Sequence, residues 1–185
     1  MYQLPLHEAR ANASRKLLFS DQLLPLNLVE AIHIPDDMCG GQVKCRVIYD
    51  REIRSIAFQP YQIREIKVVK VVYDDQISYP HKWEQREALD ELFARRGQAD
   101  EILIFKDGWL TDAYYYNVVI CVNGRYITPR LPLLSGIRRT QLLDNSWITE
   151  ADIDLCLLRQ ASAIYLVNAM TPLGKIKLAE AQVEF

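Results

Sequence analysis

No excess of positive charge runs through this sequence. Its 22 lysines and arginines are outnumbered by 24 aspartates and glutamates, for a formal net charge of -2 and a pI near 5.9. That balance removes the electrostatic footprint expected for nucleic acid or an anionic membrane surface, and points to small molecules or further copies of the chain as partners. Long apolar runs are also missing. Nothing approaches the roughly 18 residues that span a bilayer, and the opening MYQLPLHEAR lacks the basic and apolar regions of a secretory signal. The expectation is a cytoplasmic protein without membrane contact. Cysteine is sparse: Cys39, Cys45, Cys121 and Cys156 form no C-x-x-C pair, which favours buried free thiols in a reducing compartment. The histidines His7, His33 and His81 are scattered and offer no metal-ligand spacing. There is no repeat and no low-complexity segment.

Half of the 185 residues are hydrophobic, enough for one sizeable core or two small lobes. The spacing predicts an amphipathic helix over His7–Phe19 that places His7 and Arg10 on one face. Runs rich in β-branched and aromatic residues follow at Val43–Asp50, Ser55–Tyr61 and Lys67–Tyr73, read as one antiparallel sheet. The polar stretch Asp74–Pro80 reads as a linker, so the lobes are expected at residues 1–76 and 77–185. Trp83–Arg96 reads as a helix and Glu101–Lys106 as a strand. Val118–Val122 and Tyr126–Thr128 flank Asn123-Gly124, a strong hairpin signal. A helix over Ile137–Leu143 and an apolar run at Ala163–Val167 complete an α+β pattern.

The individual candidates are ambiguous when taken singly. Lys82, between His81 and Trp83, sits where partial desolvation would make an amine nucleophilic, yet a lysine near a helix start ordinarily reads as solvated charge. The loop Leu134-Ser135-Gly136 opens onto Ile137-Arg138-Arg139, and free N–H groups at such a helix start suit a phosphate; a plain cap with exposed arginines has the same pattern. Asp112, before Tyr114–Tyr116 and Asn117, suits a cationic ring nitrogen or an ordinary turn.

Their order along the chain is more informative. Lys82-Trp83-Glu84-Gln85-Arg86, Asp100-Glu101-Ile102-Leu103, Gly108-Trp109-Leu110-Thr111-Asp112, Asn117, Thr128-Pro129, Gly136-Ile137-Arg138-Arg139 and Asn168-Ala169-Met170 together resemble the succession in class IV aminotransferases, and among them most nearly the 4-amino-4-deoxychorismate lyases. The resemblance implies a two-lobed α+β class IV fold, pyridoxal phosphate as cofactor and a homodimer. It makes Lys82 the Schiff-base lysine and Asp112 the partner of the pyridine nitrogen. Arg10 becomes a phosphate-binding arginine, Ile137 and Arg138 backbone donors to that phosphate, and Asn117, Gly136 and Thr171 further cofactor-site residues. It also implies that Lys82 is the base that takes a proton from the carbon beside the substrate amine.

The pattern departs from the family at two points. Asp112 stands where the family usually has glutamate, and the strand pair that usually precedes the Arg10 helix is missing, which implies either a start codon upstream or a reduced N-terminal lobe. Asn168-Ala169-Met170-Thr171-Pro172-Leu173 looks more like the lyases, which serve folate biosynthesis, than like branched-chain transaminases. The lyase reaction, releasing pyruvate and 4-aminobenzoate, is therefore the leading expectation. Branched-chain or D-amino acid transamination is the alternative enzyme, and a pyridoxal phosphate-binding protein without turnover is the alternative outside enzymes.

Overall fold

Pro5 lies in the first turn of the opening helix, where its missing N–H leaves no bond unmade. That helix, α1, spans Leu4–Leu18 and so begins ahead of the expected His7. The computed structural model describes residues 2–19, 22–38 and 40–185, so the expectation for Cys39 falls outside the described residues. Helix α1 buries Ala11 and Arg15. A buried arginine needs acceptors, and Arg15 donates to Asn12 Oδ1 at 2.9 Å, to the Leu24 carbonyl at 3.0 Å and to the Asp50 and Arg51 carbonyls. A short α2, Leu28–Ala31, is capped by Asn27. Strands β1, Val43–Tyr49, and β2, Ile53–Pro60, then pair antiparallel with Val47 opposite Ile56. Arg15 thus fastens the β1–β2 turn to α1. These elements make up the first of two compact units, which ends at Ile63.

The second unit begins at Arg64, so the division falls before the expected position between residues 76 and 77. Strand β3, Val69–Tyr73, explains the shift: it pairs in parallel with β4, Glu101–Lys106, on one side and with a strand near the chain's end on the other. The expected three-stranded antiparallel sheet is therefore a hairpin of two strands. A run of Val-Lys-Val-Val signals a strand but not its partner, and Val69, Val71 and Val72 are buried as a central strand requires. The expected linker is also core: Ile77 and Tyr79 pack with Val72, Leu89, Leu92, Ile102 and Ile104.

Between β3 and β4 runs α3, Glu87–Ala94, shorter than the expected Trp83–Arg96. The remaining elements are β5 (Trp109–Ala113), β6 (Asn117–Val122), β7 (Arg125–Pro129), α4 (Ile137–Asp144), β8 (Thr149–Ala151), α5 (Leu155–Arg159), β9 (Ala163–Val167), β10 (Lys177–Leu178) and β11 (Val183–Glu184). The sheet runs β10-β9-β6-β5-β4-β3-β11, with β7 beside β6 and β8 beside β7. Two tight turns follow directly from sequence. Asp107-Gly108 and Asn123-Gly124 all have positive φ, which an Asn or Asp followed by Gly tolerates. A second core cluster packs Leu142 and Ile148 on Val119, Ala163, Tyr165 and Val167. The cysteines depart from expectation: Cys45 and Cys121 are free and half-buried, and Cys156 is free but exposed.

Candidate functional site

Strands β5 and β6 meet at one aligned pair, Asp112 opposite Asn117. Asp112 is buried, and its carboxylate accepts from Asn117 Nδ2 at 2.7 Å and from the Leu134 N–H at 2.9 Å. Burial pushes its pKa up to about 7, against the Leu134 and Asn117 hydrogen bonds and the field of Arg139. Asn117 also donates to the Leu134 carbonyl at 2.8 Å. The following loop comes so close that a Cβ on Gly136 would lie 2.0 Å from Asn117 Oδ1. Gly136 is thus required by close approach, and it is the N-cap of α4 with no side-chain cap. Three of the residues singled out in sequence, Asp112, Asn117 and Gly136, form one contact set.

Helix α4 adds more. Ile137 is buried at its start. The Arg138 side chain donates to the Asn168 carbonyl at 3.5 Å, to the Ala169 carbonyl at 3.4 Å and to Gln141 Oε1 at 3.2 Å. Arg139 is not an exposed partner of Arg138. It is buried, donating to the Pro129 carbonyl at 2.8 Å and to Glu150 at 2.6 Å. The turn that Arg138 reaches is closed by reciprocal backbone bonds between Asn168 and Thr171, both 3.1 Å. Asn168 Nδ2 ties it to the Tyr115 carbonyl at 3.3 Å, in the β5–β6 turn. Thr171 is fully buried, and its Oγ1 has no hydrogen-bond partner among the described residues. A buried hydroxyl left unpaired costs free energy, so it marks a place where a ligand atom would be welcome.

Lys82 stands in the loop before α3 with its side chain exposed, not partly desolvated. The loop is ordered by the Tyr79 hydroxyl donating to the Trp83 carbonyl at 2.8 Å, by the Trp83 N–H donating to the His81 carbonyl at 2.9 Å, and by an edge-to-face contact of the His81 and Trp83 rings. Arg10 belongs to the other unit, half-buried on α1, where its charge acts on Tyr49.

Two groups near this site stand in the sequence motifs but were given no role there. Glu101 is fully buried at the start of β4, and burial raises its pKa to about 7, against the N–H groups of Ile102 and Tyr114, the Arg64 ion pair and the field of Arg86. Arg86 directs its guanidinium at the Tyr114 carbonyl and lies 4.4 and 4.2 Å from the ring centroids of Tyr114 and Tyr115. Their places in the runs Lys82–Arg86 and Asp100–Leu103 were legible, a glutamate abutting the apolar run Ile102–Phe105 and an arginine four positions after Lys82, but their burial was not.

Residues 1–179 match the model of the family described as amino-transferase class IV. A Haemophilus influenzae protein described only as uncharacterized is 31% identical over 169 residues, 91% of this chain and 90% of that protein. A crystal structure from Haemophilus somnus, named provisionally as a 4-amino-4-deoxychorismate lyase, superposes with a TM-score of 0.80 at 29% identity, covering 91% of this chain and 89% of the other. A Mycobacterium tuberculosis structure described as a hypothetical aminotransferase in its pyridoxal phosphate-bound form shares the fold, with a TM-score of 0.72 at 15% identity over 95% of this chain and 75% of that one.

Proposed function

Because the chain belongs to the class IV aminotransferases, and is thereby a pyridoxal phosphate-dependent enzyme of two-lobed α+β fold, we propose that it acts as a 4-amino-4-deoxychorismate lyase, releasing pyruvate and 4-aminobenzoate. The residues present suit the cofactor. A carboxyl that is buried and costly to ionise, Asp112, gains from a cationic ring nitrogen, and the unpaired Thr171 hydroxyl gains from a polar ligand atom. When bound, the cofactor supplies a ring that accepts electrons from a substrate amine attached to it.

The residues of the chain then divide the work. Asp112 would keep the ring nitrogen protonated; it is a methylene shorter than the usual glutamate, but Asn117 and Leu134 fix it from both oxygens. Gly136, Ile137 and the first N–H groups of α4 are the candidates to receive phosphate, and the sequence resemblance gives Arg10 a phosphate-binding role. Lys82 Nζ is the amine that would hold the cofactor, and it would also serve as the base for the proton on the carbon beside the substrate amine. In the lyase direction the chemistry the cofactor would supply is loss of the enolpyruvyl group, which takes up a proton to become pyruvate and leaves 4-aminobenzoate. The cofactor role of this site rests on the buried Asp112–Asn117–Gly136 contact set. The lyase reaction is favoured by the likeness, at 29% identity over 91% of the chain, to the Haemophilus somnus structure.

The test adds pyridoxal phosphate to purified protein and follows visible absorption, then product. A band that appears in the wild type and is lost in Lys82→Ala, with pyruvate released from aminodeoxychorismate, is the expected result. Amino transfer to an oxo acid without pyruvate would replace the lyase with a transaminase, and a band with neither product would leave only cofactor binding.

A further inference from the structure

Tyr114 has every one of its hydrogen-bonding groups engaged. Its N–H donates to Glu101 Oε1 at 3.1 Å, its carbonyl accepts from Arg86 Nη2, and its hydroxyl donates to Asp90. One ring contact is with Phe93 of α3, stacked at 4.2 Å between centroids and 14° between planes. Another is with the Arg86 guanidinium, 4.4 Å from the centroid. Glu101 Oε1 is itself fixed, since it also accepts from the Ile102 N–H at 3.0 Å and the other carboxylate oxygen faces Arg64. Among the described residues the buried Nε of Arg86 has no hydrogen-bond partner, and its guanidinium packs against the aromatic rings of Tyr79, Tyr114 and Tyr115.

The location of these contacts gives them meaning. Tyr114 comes two residues after Asp112, at the mouth of the β5–β6 turn, while Arg86 comes four residues after Lys82, as the N-cap of α3. Arg86 has a non-helical φ of -134°, so α3 cannot extend back toward Trp83. The segment that bears Lys82 and the strand that bears Asp112 are therefore joined through the backbone of one residue, Tyr114. We infer that Arg86 and Glu101 are positioning residues: they grip the Tyr114 backbone on either side of its Cα, Arg86 at the carbonyl and Glu101 at the N–H, and thereby hold the Lys82 amine in place relative to Asp112. The inference rests on the cofactor reading above for its catalytic meaning, whereas the grip itself does not.

Two measurements on the full-length chain separate these. The first is amide hydrogen exchange without cofactor. In Arg86→Met, peptides covering residues 79–86 and 114–116 exchange about tenfold faster, as expected for one lost buried hydrogen bond, while β9 at Ala163–Val167 keeps its wild-type rate. The second is the rate at which saturating pyridoxal phosphate becomes trapped on Lys82 by borohydride, read by mass spectrometry. That rate falls about tenfold in Arg86→Met and in Glu101→Leu. Glu101→Gln, which keeps the acceptor oxygen, restores it to near the wild-type value. Unchanged exchange at 79–86 overturns the grip, and equal acceleration at β9 reduces Arg86 to a general stabiliser and overturns it as well. Local acceleration with unaltered trapping overturns the positioning role. A wild type that traps nothing sinks the cofactor reading and the positioning role with it, and the exchange data then decide the grip alone.

Discussion

Thr171 carries an unusual burden for a buried side chain, a hydroxyl with nothing to bond among the described residues. Replacing it with the isosteric valine removes the unpaired group. Thr171→Val is therefore expected to melt no earlier than the wild type without cofactor, and to gain up to about 1 kcal/mol. The same change is expected to weaken pyridoxal phosphate binding about tenfold. Thermal melts and a cofactor titration give the two numbers, and a variant that loses stability while binding cofactor normally would show the hydroxyl to be structural. Residue by residue, the sequence conveyed identities better than environments. Asp112 was legible from its place after Gly108-Trp109-Leu110-Thr111, but its burial was not, and neither was that of Glu101 or Arg139. Charged residues carry no mark that separates a solvated face from a satisfied interior position; only the acceptors around them do, and those come from distant parts of the chain.

Among the elements, the junction of α4 with β6 is the least tolerant. A methyl group at Gly136 must push Asn117 aside, and Asn117 holds both Asp112 and the Leu134 carbonyl. Gly136→Ala is expected to cost about 2–3 kcal/mol in urea unfolding. In the double variant with Asn117→Ala the combined loss is less than the sum of the two, because the clash is gone. A loss below about 0.5 kcal/mol for Gly136→Ala would show that the loop yields freely. The local pattern served well where chemistry dictates geometry, as at Asn123-Gly124 and the start of α4. It failed where a distant group decides. Trp83–Arg86 has a helix-compatible composition, yet Arg86 is recruited by Tyr114 and the helix starts after it. The Val69–Tyr73 run was correctly a strand, but its partners lie at Glu101–Phe105 and Val183–Glu184, which no periodicity encodes.

For the molecule as a whole, Asp112 and Glu101 couple stability to pH. Both bind protons more tightly in the fold, titrating near 7 where their ordinary values are 3.8 and 4.5. Their contribution is complete below those ordinary values and is lost as pH rises through about 7. In cofactor-free protein, the stability of Asp112→Asn relative to wild type should therefore improve from pH 5 to about pH 7 and level off above it, measured by urea midpoints. A difference independent of pH would mean that Asp112 is ionised throughout. The two-unit organisation was foreseen, and its boundary was not, because the parallel pairing of β3 makes residues 64–76 part of the second unit. That pairing also bears on how the protein is made. Val69 must wait for Val183 to leave the ribosome before β3 and β11 can join, a delay of roughly 5–20 s at ordinary elongation rates. Through that interval one side of a valine-rich strand has no partner, and it is there that a nascent chain would need a chaperone.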